Sequence, residues 1–375
     1  MKITCNRAIL TEAVNIVQKA VAVRSTLSVL EGILISAHNG KVTLTGNDLE
    51  IGIECVVGAD IAMDGKIVVN SSLFGNAVRK LTAEDVLIET SSNNTVLIKS
   101  GNSETVLTGI SGEEFPEIPK FETEYDVVLT QKDLKSLISR TIFAVGTSEA
   151  KLILTGCLLE VSANNINMVA IDGFRLALKK ITTESESVSG YLGDVGIVIP
   201  SKTLREINNI AVDKDEKVII RCSQKNARFE IGNIIITSRL LEGDFIDYKK
   251  IIPQQVKTQV KVDTKRLIEA VERASVVITS EINKSPVCFN LSDNTIKITC
   301  ETGSGSVEEF VSVQTDGDGI EIGFNNRYLL DALKNAEGDQ VIMQFTGPIN
   351  PCLITPVEGD SFKYIVLPVR LRTED

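Results

Sequence analysis

Gly65-Lys66-Ile67-Val68-Val69-Asn70, Gly196-Ile197-Val198-Ile199-Pro200-Ser201 and Gly319-Ile320-Glu321-Ile322-Gly323-Phe324-Asn325 repeat one phrase three times along a chain of 375 residues. Each reads as a short apolar strand that delivers a polar cap to a helix, over 73–81, 204–211 and 328–336 respectively. Repetition at this scale sets the folding unit before any single element does. Upstream of each phrase the spacing predicts another amphipathic helix. Ile9, Leu10, Ala13, Val14 and Val17 share one face in the first copy. Leu134, Leu137, Ile138, Thr141 and Ile142 do so in the second, after the capped start Thr130-Gln131-Lys132-Asp133. In the third, running from Asp263 to about Ile278, the face is Leu267, Ala270, Val271 and Ala274.

Between the two helices of each copy lies a strand pair around a turn: His38-Asn39-Gly40, then Asn164-Asn165 with a first strand expected over 152–161, then Asp293-Asn294. Gly46-Asn47-Asp48-Leu49-Glu50 and Ile171-Asp172-Gly173-Phe174-Arg175 supply a further turn in the first two copies. More strands close each copy, and related linkers end the first two, Gly112-Glu113-Glu114-Phe115-Pro116 and Gly243-Asp244-Phe245-Ile246-Asp247-Tyr248 leading to Pro253. The reading is an α+β protein of three repeated modules, 1–122, 123–253 and 254–375, each with two helices on mostly antiparallel sheet.

Charge sharpens the picture. The chain carries 39 Lys and Arg against 50 Asp and Glu, a net −11, which at first opposes nucleic-acid binding. Segments 6–24, 70–81, 130–143, 200–211, 263–278 and 325–336, however, hold fifteen basic and seven acidic residues, a net +8 that leaves −19 elsewhere. Five of these segments are positive and 263–278 is neutral. Equivalent helices sharing basic charge suit an anionic partner. No base-reading fingerprint accompanies them, so contacts would be to phosphates.

Several functions are excluded. One His and no Trp argue against a His-based triad, a His-ligated metal or a base-stacking platform. No phosphate loop, dinucleotide fingerprint, nucleophile elbow or H-E-x-x-H pair is present. Asp48 and Asp172 occupy equivalent places in separate modules and do not form a catalytic pair. No catalytic residue, cofactor or metal is expected. Seven widely spaced cysteines read as reduced core residues. Without a leader-like N-terminus or a run of about 18 apolar residues, the expectation is a cytoplasmic protein that does not engage membranes.

Taken in order, Leu44-Thr45-Gly46-Asn47-Asp48-Leu49-Glu50, Val169-Ala170-Ile171-Asp172-Gly173-Phe174-Arg175-Leu176-Ala177, Thr237-Ser238-Arg239-Leu240, Phe245-Ile246-Asp247-Tyr248, Ile320-Glu321-Ile322-Gly323-Phe324-Asn325 and Tyr364-Ile365-Val366-Leu367-Pro368-Val369-Arg370-Leu371 closely resemble the bacterial sliding clamps, the beta subunits of the replicative DNA polymerase. The resemblance implies a head-to-tail homodimer of three-domain protomers, a ring lined by helices around double-stranded DNA of any sequence. It implies as partners the replicative polymerase, the clamp loader and other proteins with a clamp-binding motif. By resemblance Arg24, Lys151 and Lys202 match DNA-facing positions; charge and helix placement add Arg79, Lys132, Arg140, Arg205 and Lys265. A pocket for a short apolar peptide matches Leu154, Gly173, Phe174, Arg175, Leu176, Ile246, Ile251, Ile365, Leu367, Pro368, Val369 and Arg370, with Arg175 or Arg370 meeting the peptide's polar groups.

Ring closure matches Leu107, Val276 and Val277, with Glu301, Glu308 and Glu309 as rim charges. The chain departs from the family pattern in several places. Leu152-Ile153 replaces a Tyr-Tyr pair, Ile246 a proline and Thr105 an aromatic anchor, and Thr373-Glu374-Asp375 extends the usual Arg-Leu end. That acidic tail is expected to disfavour acidic peptides. The rival reading is a repetitive α+β interaction scaffold that does not encircle DNA.

Overall fold

The computed structural model describes residues 1–162, 164–183, 188–189, 195–278 and 285–371. The tail Thr373-Glu374-Asp375 lies outside the described residues. Six α-helices are present among the described residues: α1 (Arg7–Val17), α2 (Ser71–Arg79), α3 (Gln131–Ser139), α4 (Ser201–Ile210), α5 (Thr264–Ala274) and α6 (Asn326–Asn335). Every strand pairing among the described residues is antiparallel. Among the described residues, no helix is long and apolar enough to cross a membrane.

The helices begin where a polar side chain meets the free N–H groups of the first turn. Asn6 Oδ1 accepts from Ala8 N at 2.9 Å and Ile9 N at 3.4 Å, starting α1 directly from the strand Lys2–Asn6. Asn70 and Asn325, the polar residues expected to cap α2 and α6, accept from Leu73 N at 3.0 Å and Arg327 N at 3.0 Å. Asp263 does the same for α5 through Arg266 N at 2.8 Å. Thr130 Oγ1 accepts from Asp133 N at 3.0 Å and donates to that residue's carboxylate at 2.8 Å, a reciprocal cap on α3.

Buried faces follow the expected stripes, and three local expectations are revised. Leu10, Ala13, Val14 and Val17 are buried on α1, but Ile9 is 45% exposed, because one residue back along the helix is a rotation of about 100° off that face. The residues 152–155, expected in a strand, belong instead to the 3₁₀ segment Glu149–Thr155, and the strand is Gly156–Val161. Thr155 Oγ1 donates to Leu152 O at 2.7 Å, a local bond that competes with a ladder. Helix α5 likewise stops at Ala274 and a 3₁₀ turn, Ser275–Val277, completes the segment expected to reach 278.

Two compact units organise the chain. The first comprises residues 1–134 and 206–240 with the strand Val188–Ser189, and holds one 14-stranded sheet. Within it Ile51–Val57 pairs with Ile234–Arg239, joining strands of the first and middle repeats. The second unit holds a nine-stranded sheet, in which Arg175–Thr182 pairs with Phe362–Val366, and a five-stranded sheet ending at the edge strand Gly305–Ser312. Each unit therefore continues a sheet across a repeat boundary, and six of the seven cysteines are buried, all seven as free thiols.

Candidate nucleic-acid and peptide interfaces

Seven of the eight basic candidates are exposed, each displayed by the helical segments or beside them. Lys132 projects from the first turn of α3, Lys202 and Arg205 from α4, and Lys265 from α5. Arg79 ends α2, and its guanidinium donates to Asn15 and Gln18 at 2.9 Å and Asn76 at 3.0 Å. These partners are neutral, so they hold the side chain in place while leaving its charge outward. Two positions differ from expectation. Arg24 lies in the irregular segment after α1, because the helix ends at Val17, and Lys151 sits at a kink of the 3₁₀ segment with φ −134° and ψ 71°. Arg140, just past α3, is half-buried: it donates to Asn335 O at 3.0 Å and lies 3.7 Å from Glu337.

The peptide-pocket candidates converge in the second unit. Leu154, Leu176 and Ile365 are buried in one cluster with Val169, Ile171, Leu178, Tyr248 and Leu353, and Ile251 packs against it. Above that floor Phe174 is 57% and Ile246 38% exposed. The turn that lifts Phe174 is built by Asp172, whose Oδ1 accepts from Phe174 N at 2.8 Å and Arg175 N at 3.0 Å. Gly173 supplies the φ of +93° that the turn needs. Leu367 N donates to Phe174 O at 2.9 Å, and Leu367 stands where the chain leaves the nine-stranded sheet for the five-stranded one, which Pro368–Val369 enters beside Gly323 and Phe324. Arg370 is exposed.

Arg175 is not a free ligand for a peptide. Its side chain is 11% exposed, bonded to Asp172 Oδ2 at 2.9 Å and paired with Asp331. The guanidinium also stacks over Tyr328 at 4.6 Å, whose ring stacks in turn on Phe174 at 5.8 Å. Arg175 therefore positions the aromatic rim, and Arg370 is the cation left outward. Tyr328 and Asp331 were not assigned from sequence, since nothing in their local spacing sets them apart from ordinary helix residues, and Tyr248, though it ends the motif Phe245-Ile246-Asp247-Tyr248, was not placed at the pocket.

Tyr248 anchors the linker beneath the pocket by donating to Glu160 Oε2 at 2.6 Å. Burial raises the Glu160 carboxyl, but hydrogen bonds from Tyr248, Asn167 and Lys249 outweigh it and hold the group below the usual glutamate value of 4.5. A carboxylate lowered in the fold stabilises it above the unfolded value and stops doing so as pH falls through the folded one. The stability gap between the parent chain and Glu160→Gln is thus expected to be full at pH 7 and to shrink below pH 4.5, measured by urea unfolding at both ends.

The closure candidates lie on or beside open strand edges. Ser103–Ser111, which contains Leu107, pairs with Thr95–Ser100 on one side, while only Gly109–Ser111 pairs with Ile67–Val69 on the other. Gly305–Ser312 pairs only with Thr295–Thr302 among the described residues. Val276 is 73% exposed and Val277 half-buried. Glu308 and Glu309 are already paired, with Lys297 at 2.5 Å and with Arg273 at 2.8 Å, and Glu301 is exposed. Phe310, 62% exposed on the same edge strand, and Val106, 59% exposed, were not singled out from sequence. Their signal was an apolar residue on the outward side of an alternating strand.

Comparison with known proteins agrees along the whole chain. Family models of the DNA polymerase III beta subunit match its N-terminal domain at residues 1–119, its central domain at 128–247 and its C-terminal domain at 249–370. The beta sliding clamp of Bacillus subtilis is 34% identical over 99% of this chain and 100% of its own, and that of Halalkalibacterium halodurans 32% over the same shares. The crystal structure of the Bacillus subtilis clamp superposes with a TM-score of 0.94 at 33% identity, covering 99% of this chain and all of its own. A Pseudomonas aeruginosa clamp solved with bound griselimycin gives 0.92 at 29% identity, with the same coverage. With a shared fold and about a third of its residues in common end to end, the chain belongs to the DNA polymerase III beta subunit family, the bacterial sliding clamps.

Proposed function

We propose that this chain is a DNA polymerase processivity factor, a non-catalytic ring that encircles duplex DNA and tethers the replicative polymerase and other peptide-bearing partners. The protomer is read as three clamp domains, 1–122, 123–253 and 254–375, and two protomers close head to tail. The carrying observation is that a chain of net −11 displays exposed Lys and Arg on and beside its helical segments, which sum to +8. Duplex DNA presents one charge per about 1.7 Å, so such cations can trade phosphates without fixing a register. An acidic remainder discourages binding on the outside. Arg24, Arg79, Lys132, Lys151, Lys202, Arg205 and Lys265 are assigned to phosphate contact, and Arg140 to long-range field only.

Peptides dock over Leu154, Leu176 and Ile365, between Phe174, Ile246, Ile251, Leu367, Pro368 and Val369, with Gly173 shaping the turn and Arg370 meeting polar groups. A tethered polymerase then rebinds its primer end at high effective concentration. A clamp loader opens the ring, and replication places the work in the cytoplasm. Replacing Lys132, Lys151 and Lys265 together with alanine is expected to weaken DNA binding equally across sequences. The log–log salt dependence should flatten by about 0.9 for each phosphate the variant leaves unneutralised, read by fluorescence anisotropy over a salt series. A preference for one sequence, or an unchanged slope, would favour the scaffold reading.

A further inference from the structure

The turn that builds the peptide pocket has a twin in the first unit. Asp48 Oδ1 accepts from Glu50 N at 3.0 Å and Ile51 N at 2.8 Å, as Asp172 does from Phe174 and Arg175. Arg239 N donates to Glu50 O at 2.9 Å, as Leu367 N does to Phe174 O. The ladders agree residue for residue: Ile51 faces Ser238 and Gly52 faces Thr237, where Arg175 faces Val366 and Leu176 faces Ile365. The peptide pocket and its twin are one construction used twice.

The twin also carries a small cleft, of about 80 Å³, lined by Leu49, Gly52, Ile118 and Pro119, with Thr237 and Arg239 on the facing strand and Glu50 and Glu117 at its exposed mouth. Where the pocket has Leu176, this cleft has Gly52, and a Cβ there would stand 2.7 Å from Ile118 Cδ1. The linker residue Ile118 thereby forms part of the floor. Where the pocket has Gly173, the twin holds Leu49 at φ +76°, half exposed. Such a backbone costs of order 1 kcal/mol or more for a residue with a branched side chain and gathers at binding sites.

We propose that this cleft is a second peptide-docking site, taking an extended segment that sets an apolar side chain over Ile118 and Gly52 and basic side chains against Glu50 and Glu117. The proposal rests on the peptide-docking reading of the first pocket, and the two differ in charge. The first offers Arg370 and an aromatic rim; the second offers two carboxylates at its mouth, with Arg239 as the single cation of the lining. Partners with basic flanks would select the second site and leave the first for others.

The test uses the full-length chain and two benzophenone-bearing pentapeptides, one alternating leucine with lysine and one alternating leucine with glutamate. After photo-crosslinking, the lysine peptide is expected on chain segments 47–52 and 117–119, mapped by mass spectrometry. Glu50→Lys with Glu117→Lys, both at exposed positions, should cut that yield and the anisotropy-measured affinity at least about fivefold, while crosslinks near Phe174 and Leu367 stay unchanged. Crosslinks only near Phe174 and Leu367, or a yield at 47–52 indifferent to charge reversal, would overturn the second site and leave the first standing. Failure of both peptides at both places would overturn the two readings together.

Discussion

Phe310→Asp is expected to convert a species of twice 40.7 kDa into one of 40.7 kDa at low micromolar concentration, seen by sedimentation velocity. Phe310 is 62% exposed on Gly305–Ser312, a strand whose outer edge pairs with nothing among the described residues. An unprotected edge with an outward aromatic is a template for another strand. The first-unit strand Ser103–Ser111 offers the matching feature, an open edge along Ser103–Thr108 carrying Val106 and Leu107. A strand-to-strand junction between protomers would satisfy both edges and bury the phenyl ring. Truncating an aromatic anchor at an interface centre costs about 2–4 kcal/mol, and a carboxylate in its place adds desolvation. A drop of at least about a hundredfold in dimer affinity follows. A dimer indifferent to this change would move the junction elsewhere. Because Glu308 and Glu309 are held by Lys297 and Arg273 within the protomer, replacing them should tune association weakly by comparison.

The second large effect concerns the pocket. Phe174→Ala combined with Leu367→Ala is expected to weaken binding of an apolar partner peptide about thirtyfold, while urea unfolding changes little. Floor and rim differ in what they hold together. Leu154, Leu176 and Ile365 are nearly inaccessible and belong to the core cluster, so their truncation would lower stability by about 2–5 kcal/mol and confound any binding measurement. Phe174 is 57% exposed, and Leu367 is half-buried where the chain crosses between sheets. These two side chains are free to give area to a ligand. Arg175→Ala should act differently: with Asp172 and Asp331 left unpaired and Tyr328 unsupported, both stability and affinity fall. Lysine at that position keeps the charge but loses the planar stack, so it should rescue affinity only in part.

Much of the fold was legible in the chain because repetition supplies its own control. Asn70 and Asn325 announce α2 and α6, and the stripes of α1, α3 and α5 are nearly uninterrupted. What escaped was set by tertiary context. Leu152 read as a strand start, yet hydroxyl groups of Ser148 and Thr155 turn the segment into 3₁₀. Arg175 read as a ligand through its match to a family pocket position, and only the fold brings Asp331 to it from 156 residues away. Arg140 is drawn inward for the same reason by Glu337. The residues proposed as the peptide floor entered through their match to family positions, since as apolar residues alone they read as core, whereas Tyr328 became visible only once α6 was set beside the turn at Phe174. Charge behaved best of all: the excess of basic residues on helical segments was countable in the sequence, and seven of the eight chosen residues are exposed.

Topology is central to the proposed activity, since the protein is read as holding DNA by enclosing it. The direct measurement loads the labelled protein with its clamp loader onto a nicked circular duplex and onto the same duplex made linear, then follows retention through gel filtration at raised salt. Retention on the circle with loss from the linear form, reversed when the ends are blocked, is the predicted result. Equal retention on both, or equal loss from both as salt rises, would contradict enclosure and leave an ordinary surface binder in its place.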